Sequence, residues 1–444
     1  MSASALLSDT PDEIELEAGA LGSIRDEIGF TSPSAPLGLL ISLKAMLFQN
    51  HLIDQLTARR DEFITFDQRW RDDIARYARS LAAIGRERSD EIRLRAATAS
   101  RAPGALPSAE QDRSRSALIP FEPRWQSHEE ARRWALAVLL ERVTAASDGS
   151  QYIPGRDISL PVAAVQVAFF ENPHRREGEY IKEARLSLIT PAEIMQAETD
   201  TDSLVSFRRF QEEIRALGEF LKKRSGWQQR GERAPVAFFD GTLLISYARP
   251  RNPVQDRYVQ AVTDLIQLSR ETRVPLVGYI DHSYARDLVN LVETLGEPKS
   301  AYAIYDAQIL RAAFERGPLL KAWGDRTAFF YCEREGLHDD FLDETGDPLV
   351  GFCYLQTTAD GMPARLDLPA WVFEADLLEA VIDTIRAECV VGNGYPYALE
   401  AADAAAVITS EDRARVLRAL QVFSEKENLA FRVSSKAASK VRRR

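Results

Sequence analysis

Three short apolar runs in one half of the chain set what it can fold into. LPVAAVQVAFFE (Leu160 to Glu171), APVAFFDGTLLISYA (Ala234 to Ala248) and VPLVGYI (Val274 to Ile280) are rich in β-branched and aromatic residues. That is the composition of strands buried on both faces. Between the first and second lies SLVSFRRFQEEIRALGEFLKKR (Ser203 to Arg224), with Leu204, Phe207, Phe210, Ile214 and Leu217 on one side at helical spacing. The helical ARDLVNLVETLG follows the third run. RTAFFYCE and LVGFCYLQTTADGMPARLDLPAWV then read as further strands, the latter a hairpin turning at Asp360-Gly361. Helices DLLEAVIDTIRAECVV and ALEAADAAAVITSEDRARVLRALQVFSEKENL close the chain. The alternation predicts a mixed α/β body.

The N-terminal part reads differently. From about residue 37 to 100, apolar residues recur every three or four positions with charges between them, as in a helical hairpin or helix pair. RAPGALPSAEQDRSRS (Arg101 to Ser116) shifts to Pro, Ser and Ala and reads as a linker or exposed loop. In SHEEARRWALAVLLERV, Ser127 and Glu130 resemble a capping box. The expected division is a helical extension and linker over 1–116 and a second domain over 117–444.

Composition narrows the function classes. Apolar residues make up 45% of the 444 and charged residues 28%, the balance of a globular protein. The run Pro36 to Phe48 is broken by Lys44, and no stretch approaches the ~20 apolar residues of a membrane span. The first residues, MSASALLSDTPDEIELEAG, are acidic where a signal peptide is basic, so a cytoplasmic location and no membrane partner are expected. Cys332, Cys353 and Cys389 are widely spaced in apolar contexts and form no metal or disulfide pattern. A net charge of −11 argues against a surface that binds nucleic acid throughout, although the tail SSKAASKVRRR is locally basic. The chain carries no GxxxxGK[ST] run, so it is not expected to hydrolyse ATP.

Two Asp-Gly pairs carry the chemistry. In TAASDGSQYIPGRDISLP the pair at Asp148 has the composition of a turn, and the alternative is a ligand carboxylate. In PVAFFDGTLL, Asp240 ends a central strand, where α/β folds place ligands. Both pairs precede a hydroxyl residue, Ser150 or Thr242. A strand-end Asp, a second Asp and a Glu from the intervening helix would form a hard oxygen site for Mg²⁺ or Mn²⁺. Paired ions of this kind clamp the attacking and leaving oxygens of a phosphodiester. Within that helix, Arg209 and Glu213 stand at i,i+4, which a solvated ion pair explains equally.

Taken together, DGSQYIPGRDISLPVAAV, RRFQEEI, FFDGTLL with VPLVGYIDHSYARDLV, PARLDLPAWV and GYPYALEAADAAAVI resemble the NurA nucleases in kind and in order, from about Trp125 onward. The resemblance implies an RNase H-like mixed-sheet core with flanking helices, the N-terminal helices being an extension. It implies a metal-dependent DNA nuclease using Mn²⁺ (or Mg²⁺), with 5′-to-3′ exonuclease and single-strand endonuclease activity. It implies a homodimer that docks on a hexameric HerA-type ATPase and processes DNA ends in repair. By motif position it makes Asp148, Glu213 (or its neighbour Glu212) and Asp240 metal ligands, and Tyr395 the late active-site tyrosine.

One departure stands out. Asp403 occupies the place of a histidine eight residues after that tyrosine, and an Asp, with an ordinary pKa of about 3.9, ligates a hard cation more readily than it shuttles protons. Asp403 is therefore a fourth candidate ligand. Asp281 is a smaller departure, and His282 beside it is either a site residue or a surface histidine. Arg156, Arg208, Arg209 and Arg249 are candidates for lining a DNA track. Two other readings stay open: an inactive adaptor for an ATPase, and an RNase H-like hydrolase acting on another phosphoester. The N-terminal helices are equally contacts for a partner or structural braces.

Overall fold

The computed structural model describes residues 49–155, 158–245, 253–312, 317–336, 340–430 and 432. The chain divides into two compact units, Met1–Asp73 and Ile74–Arg444. In the first, the described residues are mainly helical, with Phe66 and Trp70 stacked at 6.4 Å and Asp67 paired with Arg71. Helix α1 spans Arg60–Ile84 and α2 spans Ser89–Ala99.

An 11-stranded mixed sheet organises the second unit. Within it, β3 (Thr144–Tyr152) is flanked on one side by β4 (Ala163–Asn172) and β5 (Ile181–Ile189) in an antiparallel meander. On the other side come β6 (Val236–Asp240), parallel to β3, and β7 (Leu276–Ile280), parallel to β6. The sheet continues antiparallel through β11 (Ala364–Pro369) and β10 (Val350–Leu355) to β9 (Phe330–Glu333) and β1 (Gly104–Pro107). Two short strands, β2 (Leu118–Ile119) and β8 (Arg326–Thr327), pair with each other, and β8 joins β10. Three antiparallel strands followed by two parallel ones across helical connections make the RNase H-like core. The parallel pairs require helices as crossovers. These are α6 (Thr201–Arg224) before β6 and α7 (Pro253–Thr272) before β7.

Alternation along the strands sorts the core into two layers. Ala146, Phe170, Phe238 and Tyr279 face a cluster closed by Trp371, Ile382 and their neighbours, from α11 (Leu378–Val391) and the elements around it. On the opposite face Val165, Val167 and Ile189 pack against Val205 and Ala216 of α6. Cys332, Cys353 and Cys389 are buried and unpaired, as expected. Burial pushes the Cys332 and Cys353 thiols up to about 12, so they are inert small hydrophobes.

Two local expectations change. Arg101 to Ser116 is not an exposed linker: Gly104–Pro107 is β1, paired with β9, and Glu110–Ser114 is the short helix α3. The Pro and Gly there lie at a sheet edge, where a missing donor is tolerated. Strand β5 was not anticipated, because IKEARLSLI alternates charged and apolar residues on an exposed surface. The hairpin between β10 and β11 is present, its loop closed by the Gly361 amide donating to Thr358 Oγ1. No described helix is long and apolar enough to cross a membrane.

Phe238, fully buried at the middle of β6, is a clean probe of this core. Phe238→Ala should lower unfolding stability by about 3–5 kcal/mol in urea denaturation, the cost of an aromatic-sized cavity. A loss below about 1 kcal/mol would contradict the central placement of β6.

Candidate active site

The register between β3 and β6 fixes the first pair. Ser147 stands opposite Phe239, so Asp148 and Asp240 fall side by side one residue further along two parallel strands. Alternation directs both carboxyls to the face of Ala146 and Phe238. Asp240 is the last residue of β6, exposed at its tip, whereas Asp148 is half-buried inside β3.

Asp148-Gly149 is therefore not a turn. It lies within a continuous strand paired on both sides, with Asp148 opposite Ala168 and Gly149 opposite Val167. Glycine is needed there for a different reason. A Cβ on Gly149 would collide with Glu213 Oε1 and lie 2.7 Å from Arg209 Cγ. Helix α6 packs against that bare patch, with Ser147 Oγ donating to the Glu213 carbonyl at 3.1 Å. The Glu213 carboxyl thus reaches the strand from the face opposite Asp148.

Of the two adjacent glutamates, Glu213 is the buried one, at 8% exposure. Glu212 is half-buried and pairs with Arg215 on the outside of the helix. Arg209 sits over the same patch, donating to the Gly149 carbonyl at 2.9 Å, with its Nε 3.6 Å from Glu213 Oε1. That separation is too long for a hydrogen bond, and both Arg209 Nε and Glu213 Oε1 are buried without a hydrogen-bond partner.

A fourth acid arrives on α12 (Tyr397–Ala406), which is held at both ends. At its N-terminus the fully buried Glu388 accepts from the Ala398 amide at 3.0 Å and from Thr144 Oγ1 of β3 at 2.7 Å. At its C-terminus Gln166 of β4 donates to the Ala406 carbonyl at 3.1 Å, and the Ile408 amide donates to Ser150 Oγ at 3.3 Å. Asp403 lies exposed on this clamped helix. Before it, Gly394 at φ +107° ends a turn that presents Tyr395. The Tyr395 hydroxyl donates to Asp240 Oδ1 at 3.2 Å, and its ring stands edge-on to Tyr279 at 5.2 Å.

Burial raises Asp148, Glu213 and Asp240, and neighbouring carboxylates add to it. Burial, then the neighbouring Asp240 and Asp403 charges, push Asp148 up to about 6 against the pull of the Gly149 amide. Burial pushes Glu213 up to about 7, with Arg209 opposing and Asp148 and Asp240 adding to the rise. Burial raises Asp240 too, against the Tyr395 hydrogen bond and with the Asp403 charge adding to the rise. Burial, then Asp240, holds the Tyr395 phenol well above its usual range, so it stays a donor.

This donor chemistry suits a hard divalent cation: oxygen ligands, excess negative charge and an orphaned carboxylate oxygen. Among the described residues, no three acid, histidine or cysteine side chains already converge as a finished ligand cage.

The remaining candidates are placed as follows. His282 is exposed, its Nδ1 2.7 Å from Asp281 Oδ2 just past β7. Arg208 is tied to Glu193 at 3.0 Å. Arg156, Arg249 and the basic tail from residue 433 lie outside the described residues. Glu388 and Gln166, which hold α12, were not singled out from the sequence. Their signal was a polar residue inside an apolar run, IRAECVV and AAVQVAFF.

The NurA domain model matches residues 142–408, more than half of the chain. The chain belongs to the NurA family. The matched span begins two residues before β3 and ends two after α12, so it encloses all five candidate residues. A search of curated proteins finds no match. Among solved structures, the chain is similar to NurA crystallised with manganese at 10% identity and TM-score 0.36, covering 68% of this chain and 98% of that one. NurA bound to dAMP and manganese matches at 12% identity and TM-score 0.35, covering 63% and 88%. The catalytic domain of human endonuclease V matches at 14% and 0.29, covering 66% and 96%. These likenesses are distant, and the family assignment rests on the domain match.

The raised acids have a pH consequence. With metal chelated by EDTA, Glu213 keeps a proton in the folded state that the unfolded chain releases at about 4.5, so its contribution to stability falls as pH rises from about 4.5 through about 7. Glu213→Gln should flatten that fall. Thermal unfolding of both proteins between pH 4.5 and 8 checks it, and parallel curves would contradict the buried, proton-holding Glu213.

Proposed function

We propose that this NurA-family chain is a divalent-metal-dependent deoxyribonuclease that hydrolyses phosphodiesters at Asp148, Glu213 and Asp240. The observation that carries the reading is the in-register pair Asp148 and Asp240, with the partnerless Glu213 oxygen buried against Gly149, the residue next to Asp148. Like charges this close cost free energy unless protonated or neutralised by a cation, and a catalytic metal site is where that cost serves a purpose. Asp148, Glu213 and Asp240 would hold Mn²⁺ or Mg²⁺, with Asp403 as a further ligand on the α12 side. The bound ion supplies Lewis-acid chemistry, lowering the pKa of a bound water and offsetting charge on the pentacovalent phosphorus.

The chain's own residues divide the remaining work. Arg209 holds Glu213 against β3 and offsets part of the acid charge. Tyr395 fixes the Asp240 carboxyl through one oxygen and presents its ring at the mouth of the site, suited to stacking on a base without sequence preference. In the hydrolysis, water gives up one proton as its oxygen bonds to phosphorus, the P–O bond to the departing sugar oxygen breaks, and that oxygen takes up a proton, so none is gained or lost overall.

The same reading extends to 5′-to-3′ exonuclease and single-strand endonuclease action in DNA end processing. It places the chain in the cytoplasm as a homodimer on a hexameric HerA-type ATPase, with residues 117–444 forming the nuclease domain and β1 joining its sheet from the preceding segment. A second reading, an ATPase adaptor with weak or no cleavage, is favoured by the fact that among the described residues no three acids converge as a ligand set.

Cleavage of end-labelled single- and double-stranded DNA with Mn²⁺, Mg²⁺ or EDTA separates the readings. The wild type should degrade DNA only with metal, and Asp148→Ala or Asp240→Asn should reduce the rate at least ~100-fold, the scale of losing a transition-state charge contact, while leaving the fold intact. No cleavage by the wild type with either metal, even with the cognate ATPase present, would favour the adaptor. Asp403→His would then be the reversion to make.

A further inference from the structure

Behind Asp240, on the face of the sheet away from Tyr395, lies a buried polar pin that the catalytic reading does not use. After Asp240 the chain turns at Gly241 (φ +129°) and crosses back over β7. It crosses at Gly278, where a Cβ would lie 2.6 Å from the Gly241 carbonyl and 3.1 Å from the Leu243 amide. The Gly241 amide donates to the Tyr279 carbonyl at 3.0 Å. Beyond Gly278, on β11, stands Asp367, fully buried and paired in register with that glycine.

One oxygen of Asp367 serves the turn alone. Oδ2 accepts from Thr242 Oγ1 at 2.6 Å and from the Leu243 amide at 3.2 Å. Thr242 Oγ1 in turn accepts from the Leu244 amide at 3.0 Å. The other oxygen, Oδ1, accepts from Arg365 Nε at 2.7 Å. Arg365 is itself fully buried and bonded to Asp287 at 2.6 Å, which Arg334 also grips.

Pairing with the buried Arg365 accounts for Oδ1 of the Asp367 carboxylate, whereas Oδ2 bonds only the turn after Asp240. Two separate features, the missing side chain at Gly278 and the carboxyl of Asp367, both serve the three residues that follow Asp240. We infer that Asp367, acting through Thr242, is a positioning residue that sets the Asp240 carboxyl for metal binding. Arg365 and Asp287 orient Asp367 rather than touch the site. This inference rests on the metal-dependent reading given above.

The test uses the full chain with Thr242→Val, which keeps the shape but removes the hydroxyl, Thr242→Ser, which restores it, and Asp367→Asn. Mn²⁺ binding is measured by electron paramagnetic resonance of the free ion, beside thermal unfolding and DNA cleavage. Thr242→Val should weaken Mn²⁺ binding and slow cleavage by about 10-fold or more, the usual effect of losing a partner behind a metal ligand. Thr242→Ser should return both to within about twofold of wild type. If Thr242→Val lowers only the unfolding temperature, with Mn²⁺ affinity and cleavage unchanged, the pin is structural and the inference fails. If Asp367→Asn does not fold, the threonine pair still decides. A wild type that neither binds Mn²⁺ nor cleaves sinks the parent reading, and the inference with it.

Discussion

The parallel pairing of β3 with β6 is the constraint on which the site depends. It sets Asp148 beside Asp240 by backbone hydrogen bonding, so no side-chain interaction has to overcome their repulsion. Parallel register is rigid because one residue of slip would send each carboxyl to the opposite face. The antiparallel β3–β4–β5 meander locks β3 from its other edge over its full length. Apolar burial around Ala146 and Phe238 then drives the charged ends together.

Around that pair, two glycines inside strands serve close approach, beside the turn glycines Gly241 and Gly394. Gly149 lets the α6 carboxyl lie against β3, and Gly278 lets the chain after Asp240 fold against β7. Each absent side chain is filled by functional machinery: Glu213 with Arg209 in one case, the Thr242 turn in the other. Both substitute a packing vacancy for what an ordinary strand residue would occupy, at a cost of roughly 0.5–1 kcal/mol in strand propensity.

Much of this was legible from residue pattern. The runs around Phe238 and Val277 read as strands because nothing but a doubly covered sheet accepts so many consecutive apolar residues, and they are β6 and β7. Asp240 at the end of its run was placed for the same reason. Asp148 was harder, since Asp-Gly signals a turn by local chemistry. The strand identity of that pair comes from β4 and β6 on either side, which no local window contains. The choice between Glu212 and Glu213 is of the same kind. Adjacent residues on a helix differ by about 100° in direction, and only the position of β3 tells which one faces inward.

Helix α12 shows why the last part of the site was read as motif and not as geometry. Its register is imposed from outside by Glu388, Gln166 and Ser150, which come from α11, β4 and β3. Those bonds fix the distance from Tyr395 to Asp240 at one end and the placement of Asp403 at the other. A residue on a helix held at both ends cannot drift to find a partner. The residue at position 403 must therefore act from where it stands, and on the reading proposed above an exposed carboxyl there would contribute through charge and ligation rather than through proton transfer. Its field already reaches both strand-borne acids, raising Asp148 and Asp240 together. On the metal-dependent reading, a carboxylate at that position would make the site more dependent on a cation than a neutral imidazole would, because each added negative charge increases the repulsion a cation has to offset.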